Sequence, residues 1–172
     1  MILKGYKAKS NQKFINKLLD ARNTVLSPKK IESVGILFSV KEFDDFDAFR
    51  NVFKNLNVDV NKIKIFGYVD DLKQLERYKE QFFTIKQIGW KGHIKNDLLK
   101  NFLNTEFDAL ISYYKQDNLS LNLATASSKA NFKIGLSNAD QRLNDLIIDV
   151  DPKEFELFQQ ELKKYLTKLN KI

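Results

Sequence analysis

The chain has 172 residues, no cysteine, one histidine and a formal net charge of +7. That length suits a single domain with a core of its own, and the missing cysteines exclude disulfides, thiolate catalysis and cysteine-based zinc sites. No apolar run approaches the roughly eighteen residues of a membrane-spanning helix, and Met1-Ile2-Leu3 followed by Lys4 is too short and too charged for a secretory signal, so a cytoplasmic protein is expected.

The charge is concentrated at one end. Residues 1–30 hold eight basic groups (Lys4, Lys7, Lys9, Lys13, Lys17, Arg22, Lys29 and Lys30) and one acid, Asp20, so the remaining residues are electrically neutral. This divides the chain into a basic N-terminal helical element, 1–30, and a single α/β domain, 31–172. Within the first part, residues 10–23 follow helical spacing. Ser10 or Asn11 is a suitable cap, and Phe14/Leu18 and Ile15/Leu19 are i, i+4 apolar pairs. Lys9, Lys13 and Lys17 form a second stripe at spacing four. Ser27-Pro28 breaks the pattern.

Apolar runs then alternate with helical patterns. Ser33–Val40 is almost continuously apolar, as a strand buried on both faces should be. Phe43, Phe46, Phe49, Val52, Phe53 and Leu56 recur at helical spacing behind an acidic start. Lys62–Val69 predicts a second strand, 70–79 a short helix, Phe82–Ile88 a third strand, and Ile94–Leu103 a helix. Phe107–Tyr113 predicts another strand, and a helix capped by Asn118 or Ser120 runs to about Ala130. Phe132–Leu136 and Leu146–Val150 complete the strands. A final helix is expected from Asp151-Pro152, with Pro in its first turn. Strand–helix alternation of this kind predicts a three-layer Rossmann-like or flavodoxin-like α/β domain with a mostly parallel sheet. Phe49, Val52, Ile111, Leu123, Ile147, Phe158 and Leu162 are the expected core.

No segment carries a recognisable catalytic set. Neither G-x-G-x-x-G nor G-x-x-x-x-G-K-[ST] occurs, so no phosphate loop is predicted. One histidine cannot build a zinc site. Asp70, Asp71, Asp149 and Asp151 are the only candidates for magnesium, and such residues more often cap helices. Ser128 and Lys129 are adjacent on a helix and so point apart, which rules out a Ser/Lys dyad. Neither a cofactor nor a metal is expected.

Three sites remain as candidates. The first is the basic element, in which Lys4, Lys7, Lys9, Lys13, Lys17 and Arg22 would meet an anionic partner, with Tyr6 and Phe14 as stacking groups. The second is the Gly89–His93 turn, where Trp90 would stack and Lys91 and His93 would meet an anion. The third is the crevice beyond the carboxyl ends of the strands, where Ser112, Tyr114, Asn118 and Ser120 fall. Each has a plainer alternative: a solvated helix face, a tight turn, and ordinary strand-end and cap chemistry.

The stretches IESVGILFSV, IGWKGHIKN, FDALISYY, LNLATASSKANFKIGLS and RLNDLIIDV resemble a family of small uncharacterised proteins from Bacteroidetes. That resemblance spans nearly the whole chain and implies a bacterial protein, but no chemistry. Within Phe107–Gly135, Asp108 and Ile134-Gly135 are similar to the frame around a helix in the N-terminal domain of heptosyltransferase-type glycosyltransferases. Those enzymes have a second sugar-nucleotide domain, for which this chain has no room, so the similarity bears on fold rather than activity. The expectation is a non-catalytic binding protein whose basic element contacts nucleic acid, ribosomal RNA included, or an acidic protein surface. Peripheral membrane contact is a weaker option. The alternative is a small-molecule-binding or transferase-like enzyme that uses the strand-end crevice.

Overall fold

The computed structural model describes residues 2–23, 27–71, 73, 81–137 and 140–172. Six strands, β1 (Val34–Ser39), β2 (Ile63–Tyr68), β3 (Gln81–Phe83), β4 (Ala109–Tyr113), β5 (Phe132–Leu136) and β6 (Leu146–Ile148), form one all-parallel sheet in the order β3-β2-β1-β4-β5-β6. This is the strand order of the doubly wound Rossmann-like fold, whose topological switch point lies between β1 and β4. The apolar runs 34–39 and 109–113 are buried at every position, because helices cover both faces.

The helices are α1 (Ile2–Ala21), α2 (Phe46–Asn55), α3 (Asp97–Asn104), α4 (Leu119–Ser127) and α5 (Phe155–Lys168). Across the sheet, Ile65, Ile36, Ile111 and Ile134 stand in register. They share one core cluster with Phe49 and Phe53 of α2 and Phe158, Leu162 and Leu166 of α5. The opposite face packs Leu37, Phe66 and Leu110 against Leu99 and Phe102 of α3, Leu121 and Leu123 of α4, and Ile15 and Leu19 of α1. The second half of the basic helix therefore contributes to the main core.

Several elements differ from expectation. α1 begins at Ile2, eight residues before the expected cap, because Ser10 and Asn11 turn their side chains to a distant loop rather than to their own helix. The third strand ends at Phe83, where Thr84 starts a 3₁₀ turn over Ile85–Gln87 closed by a reciprocal Thr84–Gln87 capping box. α3 starts at Asp97, where Asn96 caps it. α5 starts at Phe155, and Pro152 lies before it, its carbonyl accepting from the Tyr113 hydroxyl at 2.8 Å. Of the expected core, Ile147 is only half-buried, since β6 is an edge strand; the other six are buried. The helix expected over 70–79 falls almost wholly outside the described residues.

Candidate functional site

In open α/β sheets ligands bind beyond the carboxyl ends of the strands at the switch point. Here the loop after β1 crosses that place. The Glu42 carboxylate accepts from the Lys115 amide at 2.7 Å and from the Gln116 amide at 3.2 Å, in the loop after β4. Phe43 stacks on Phe155 with ring centroids 4.5 Å apart and meets Tyr113 edge-on. The two loops that flank the switch point are thus joined by the chain's own carboxylate, with Phe43 packed beside it on Phe155 and Tyr113.

The other crevice residues lie toward α4. Ser112 and Tyr114 are fully buried, and both hydroxyls meet Thr125 Oγ1, at 3.2 and 2.9 Å. Tyr114 also donates to Asn122 Oδ1 at 3.1 Å, and Asn122 in turn donates to Asp117. Burial pushes the Tyr114 phenol far above its ordinary value. Ser112, Tyr114 and Thr125 are buried under α4, and the network reaches the surface only at Asp117 among the described residues. Asn118 caps α4, accepting from Ser120 N and Leu121 N at 3.0 and 3.1 Å.

The basic helix and the Gly89–His93 turn form one surface. Asn11, buried, donates through Nδ2 to Gly89 O at 3.0 Å and accepts from Gly92 N at 3.0 Å. Ser10 Oγ accepts from Lys91 N at 3.2 Å. The turn is closed by Gly89 N donating to His93 O at 2.6 Å, with Lys91 and Gly92 both in the left-handed region at φ 50° and 73°. The Phe14 ring packs against Gly92, where a Cβ would come within 2.2 Å of it. This clasp sets Lys91 beside Lys13 and Lys17, which line one shallow depression with it. Trp90, 47% exposed, stands at the same turn. Lys4, Lys9, Lys13 and Lys17 are exposed, and Lys7 is half-buried.

The six basic candidates are not equivalent. The five lysines have no acidic partner among the described residues. Arg22 instead ion-pairs with Asp145 at 2.5 Å, tying the end of α1 to the segment before β6. Phe14 and Leu18 are half-buried under the helix, whereas Ile2, Leu3 and Tyr6 are its exposed apolar residues. His93 is exposed, and no hydrogen bond to its side chain is formed among the described residues.

The carboxylates have structural partners or none. Asp108 lies just before β4, at the opposite end of the sheet from the crevice. It accepts from Lys29 Nζ at 2.9 Å, from the amides of Glu32 and Ser33 at 3.1 and 3.0 Å, and from the Ser33 hydroxyl at 2.9 Å. Burial raises its carboxyl, but the hydrogen bonds from Lys29, Ser33 and Glu32 outweigh burial and hold it below the usual range. Asp149 pairs with Lys115, Asp151 accepts from Lys153 N, and Asp71 accepts from Lys73 N. Among the described residues no three of His, Cys, Asp and Glu converge to hold a metal, and no helix is long and apolar enough to cross a membrane.

One buried polar group carries no signal in the sequence. Lys133 in β5 is buried, and its ammonium donates to the Thr125 carbonyl at 2.6 Å, in the last turn of α4. Burial, with Arg22 nearby, lowers it to about 7. An alternating Phe132-Lys133-Ile134 pattern reads as a polar side chain in water, so only the end of α4 above β5 reveals it.

The fold and surface together define a three-layer, doubly wound α/β protein with its switch-point loops joined by Glu42 and a cationic helix clasped to its side. The chain belongs to a family of unknown function, DUF6913, which matches residues 7–169. No curated protein and no solved structure matches it.

Proposed function

We propose that this protein binds a polyanion, with nucleic acid as the partner, through the composite surface of α1 and the 89–92 turn. The observation that carries the reading is the clasp of Ser10 and Asn11 on residues 89–92, which brings Lys91 beside Lys13 and Lys17, with Asp20 at the edge of the same depression and exposed Trp90 next to Lys91 in the turn. Cations that follow a backbone, with an aromatic ring for stacking, are the elements of single-strand recognition. The link that Glu42 makes between the loops at the switch point favours binding over the alternative of a crevice enzyme. We place the protein in a bacterial cytoplasm on its sequence resemblance.

The test is binding of a fluorescent single-stranded RNA at increasing salt. The parent should lose affinity steeply, and Lys9→Glu with Lys13→Glu and Lys17→Glu should reduce the slope by roughly 2, at about 0.7 per phosphate contact. Trp90→Ala should weaken binding without changing the slope. Absence of binding at low salt would overturn the reading. A second reading is favoured by Ile2, Leu3 and Tyr6, which are 76%, 73% and 60% exposed beside the lysines: binding to anionic vesicles that disappears in Ile2→Ser with Leu3→Ser would move the partner to a membrane surface.

A further inference from the structure

We propose that the pocket between the first half of α1, the residues after β3 and the start of α4 binds a small amphiphile, an apolar chain of medium length ending in one carboxylate or phosphate. The cavity measures about 320 Å³, within the size range of small-molecule sites. Ala8, Ile85, Ile88 and Leu119 supply its apolar walls. Lys4, Lys7 and Lys86 stand around it, and none has an acidic partner among the described residues. Apolar walls rimmed by uncompensated cations match a ligand with an apolar body and an anionic head.

A second observation points to the head group's position. Ser120 is 3% exposed and lines the pocket, and its hydroxyl has no hydrogen-bond partner among the described residues. That hydroxyl is free to donate to a ligand, and an anionic oxygen in the pocket would accept from it. Ser120 also lies in the first turn of α4, where the helix dipole favours negative charge. Asn118 already holds the Ser120 and Leu121 amides, so the head group meets the hydroxyl and the lysines rather than bare amides. The neighbouring Asn11, equally buried, is fully engaged by Gly89 and Gly92. This site stands apart from the polyanion surface: it opens between α1 and Ile85, whereas Lys13 and Lys17 line the depression beside Lys91.

The experiment titrates the full chain, followed by amide NMR shifts and calorimetry, with decanoate, decyl phosphate and decanol. Decanoate or decyl phosphate should bind and shift the amides of Ile85, Leu119 and Ser120, and the tighter of the two identifies the head group. Decanol should bind at least about tenfold more weakly, as loss of several partly exposed ion contacts implies. Lys4→Gln with Lys7→Gln and Lys86→Gln should abolish that preference while leaving decanol unchanged. Ala8→Trp, which fills the pocket from an exposed helix position, should remove binding of all three and leave the thermal transition in place. The proposal fails if no ligand shifts those amides, if decanol binds as well as decanoate and decyl phosphate, or if a folded Ala8→Trp protein binds as the parent does. Lys9→Glu with Lys13→Glu and Lys17→Glu should leave decanoate binding intact, so a failure of RNA binding and a failure of this site read out separately.

Discussion

The Glu42 carboxylate accepts from the Lys115 amide at 2.7 Å and so joins the loop after β1 to the loop after β4. Those two loops flank the switch point, and in this topology they ordinarily open to admit a ligand. Here a side chain of the protein satisfies the amides instead. Glu42→Ala should therefore cost about 1.5–3 kcal/mol, the range for a hydrogen bond to a charged group, and the parent should show no binding of a nicotinamide dinucleotide. Urea denaturation and calorimetric titration check both. An unchanged urea midpoint in the variant would show that the contact contributes nothing.

Gly92 allows both the left-handed turn and the close approach of Phe14. Gly92→Ala adds a methyl group at φ 73° and within 2.2 Å of the Phe14 ring, so it should destabilise by about 1–3 kcal/mol and speed hydrogen exchange in α1 more than in the sheet. In a Phe14→Ala background part of that cost should vanish, because the two changes act on one contact. Strict additivity would mean that the ring does not press on the turn.

Lys133 gives stability a pH dependence of defined sign. Burial lowers its ammonium from 10.5 to about 7 in the folded protein. Between those values the unfolded chain holds the proton and the folded protein does not, so stability rises with pH, by at most about 1.4 kcal/mol per pH unit. The contribution is complete above the unfolded value and lost as pH falls through about 7. Urea denaturation at pH 7 and pH 9 should show the rise, and Lys133→Met should flatten it. Parallel profiles for parent and variant would refute the assignment.

Asp108 works in the opposite direction. Its carboxyl is held below the usual range, so its contribution is present above the unfolded value and disappears as pH falls through the folded one. Asp108→Ala leaves the Glu32 and Ser33 amides and the Ser33 hydroxyl without their acceptor. A loss of about 2–4 kcal/mol at neutral pH is expected, narrowing toward zero in acid. A constant difference from neutral pH down into acid would rule out the ionised clasp.

Ile111 stands at the centre of the isoleucine row and is fully buried, whereas Ile147 on the edge strand is half-buried. Ile111→Ala should cost about 2–5 kcal/mol, and Ile147→Ala clearly less. Equal losses in thermal or urea unfolding would contradict the placement of the core.

Much of the architecture could be read from local pattern. The runs 34–39, 63–68, 109–113 and 132–136 are strands close to their expected limits, because strands covered on both faces are mostly apolar along their length, Lys64 and Lys133 being the exceptions. Phe49, Val52 and Phe53 mark the buried stripe of α2, since helical spacing is itself the signal. Ends were less legible. The start of α5 moved to Phe155 and the end of β3 to Phe83, where caps and turns compete within a few tenths of a kcal/mol to about 1 kcal/mol.

The sequence by itself determined the class of fold, the central core and the concentration of positive charge in the first thirty residues, because composition and periodicity are properties of neighbouring positions. Tertiary structure alone decided which polar groups meet. Ser10 and Asn11 look like caps in the chain and become the clasp for residues 89–92. Arg22 looks like one more free cation and is committed to Asp145. Glu42 lies in the acidic start of a helical pattern and instead joins the loop after β1 to the loop after β4. Each of these partners lies more than seventy residues away. A hydrogen bond depends on the distance between two atoms and carries no periodic trace along the chain, so only the folded arrangement could assign it.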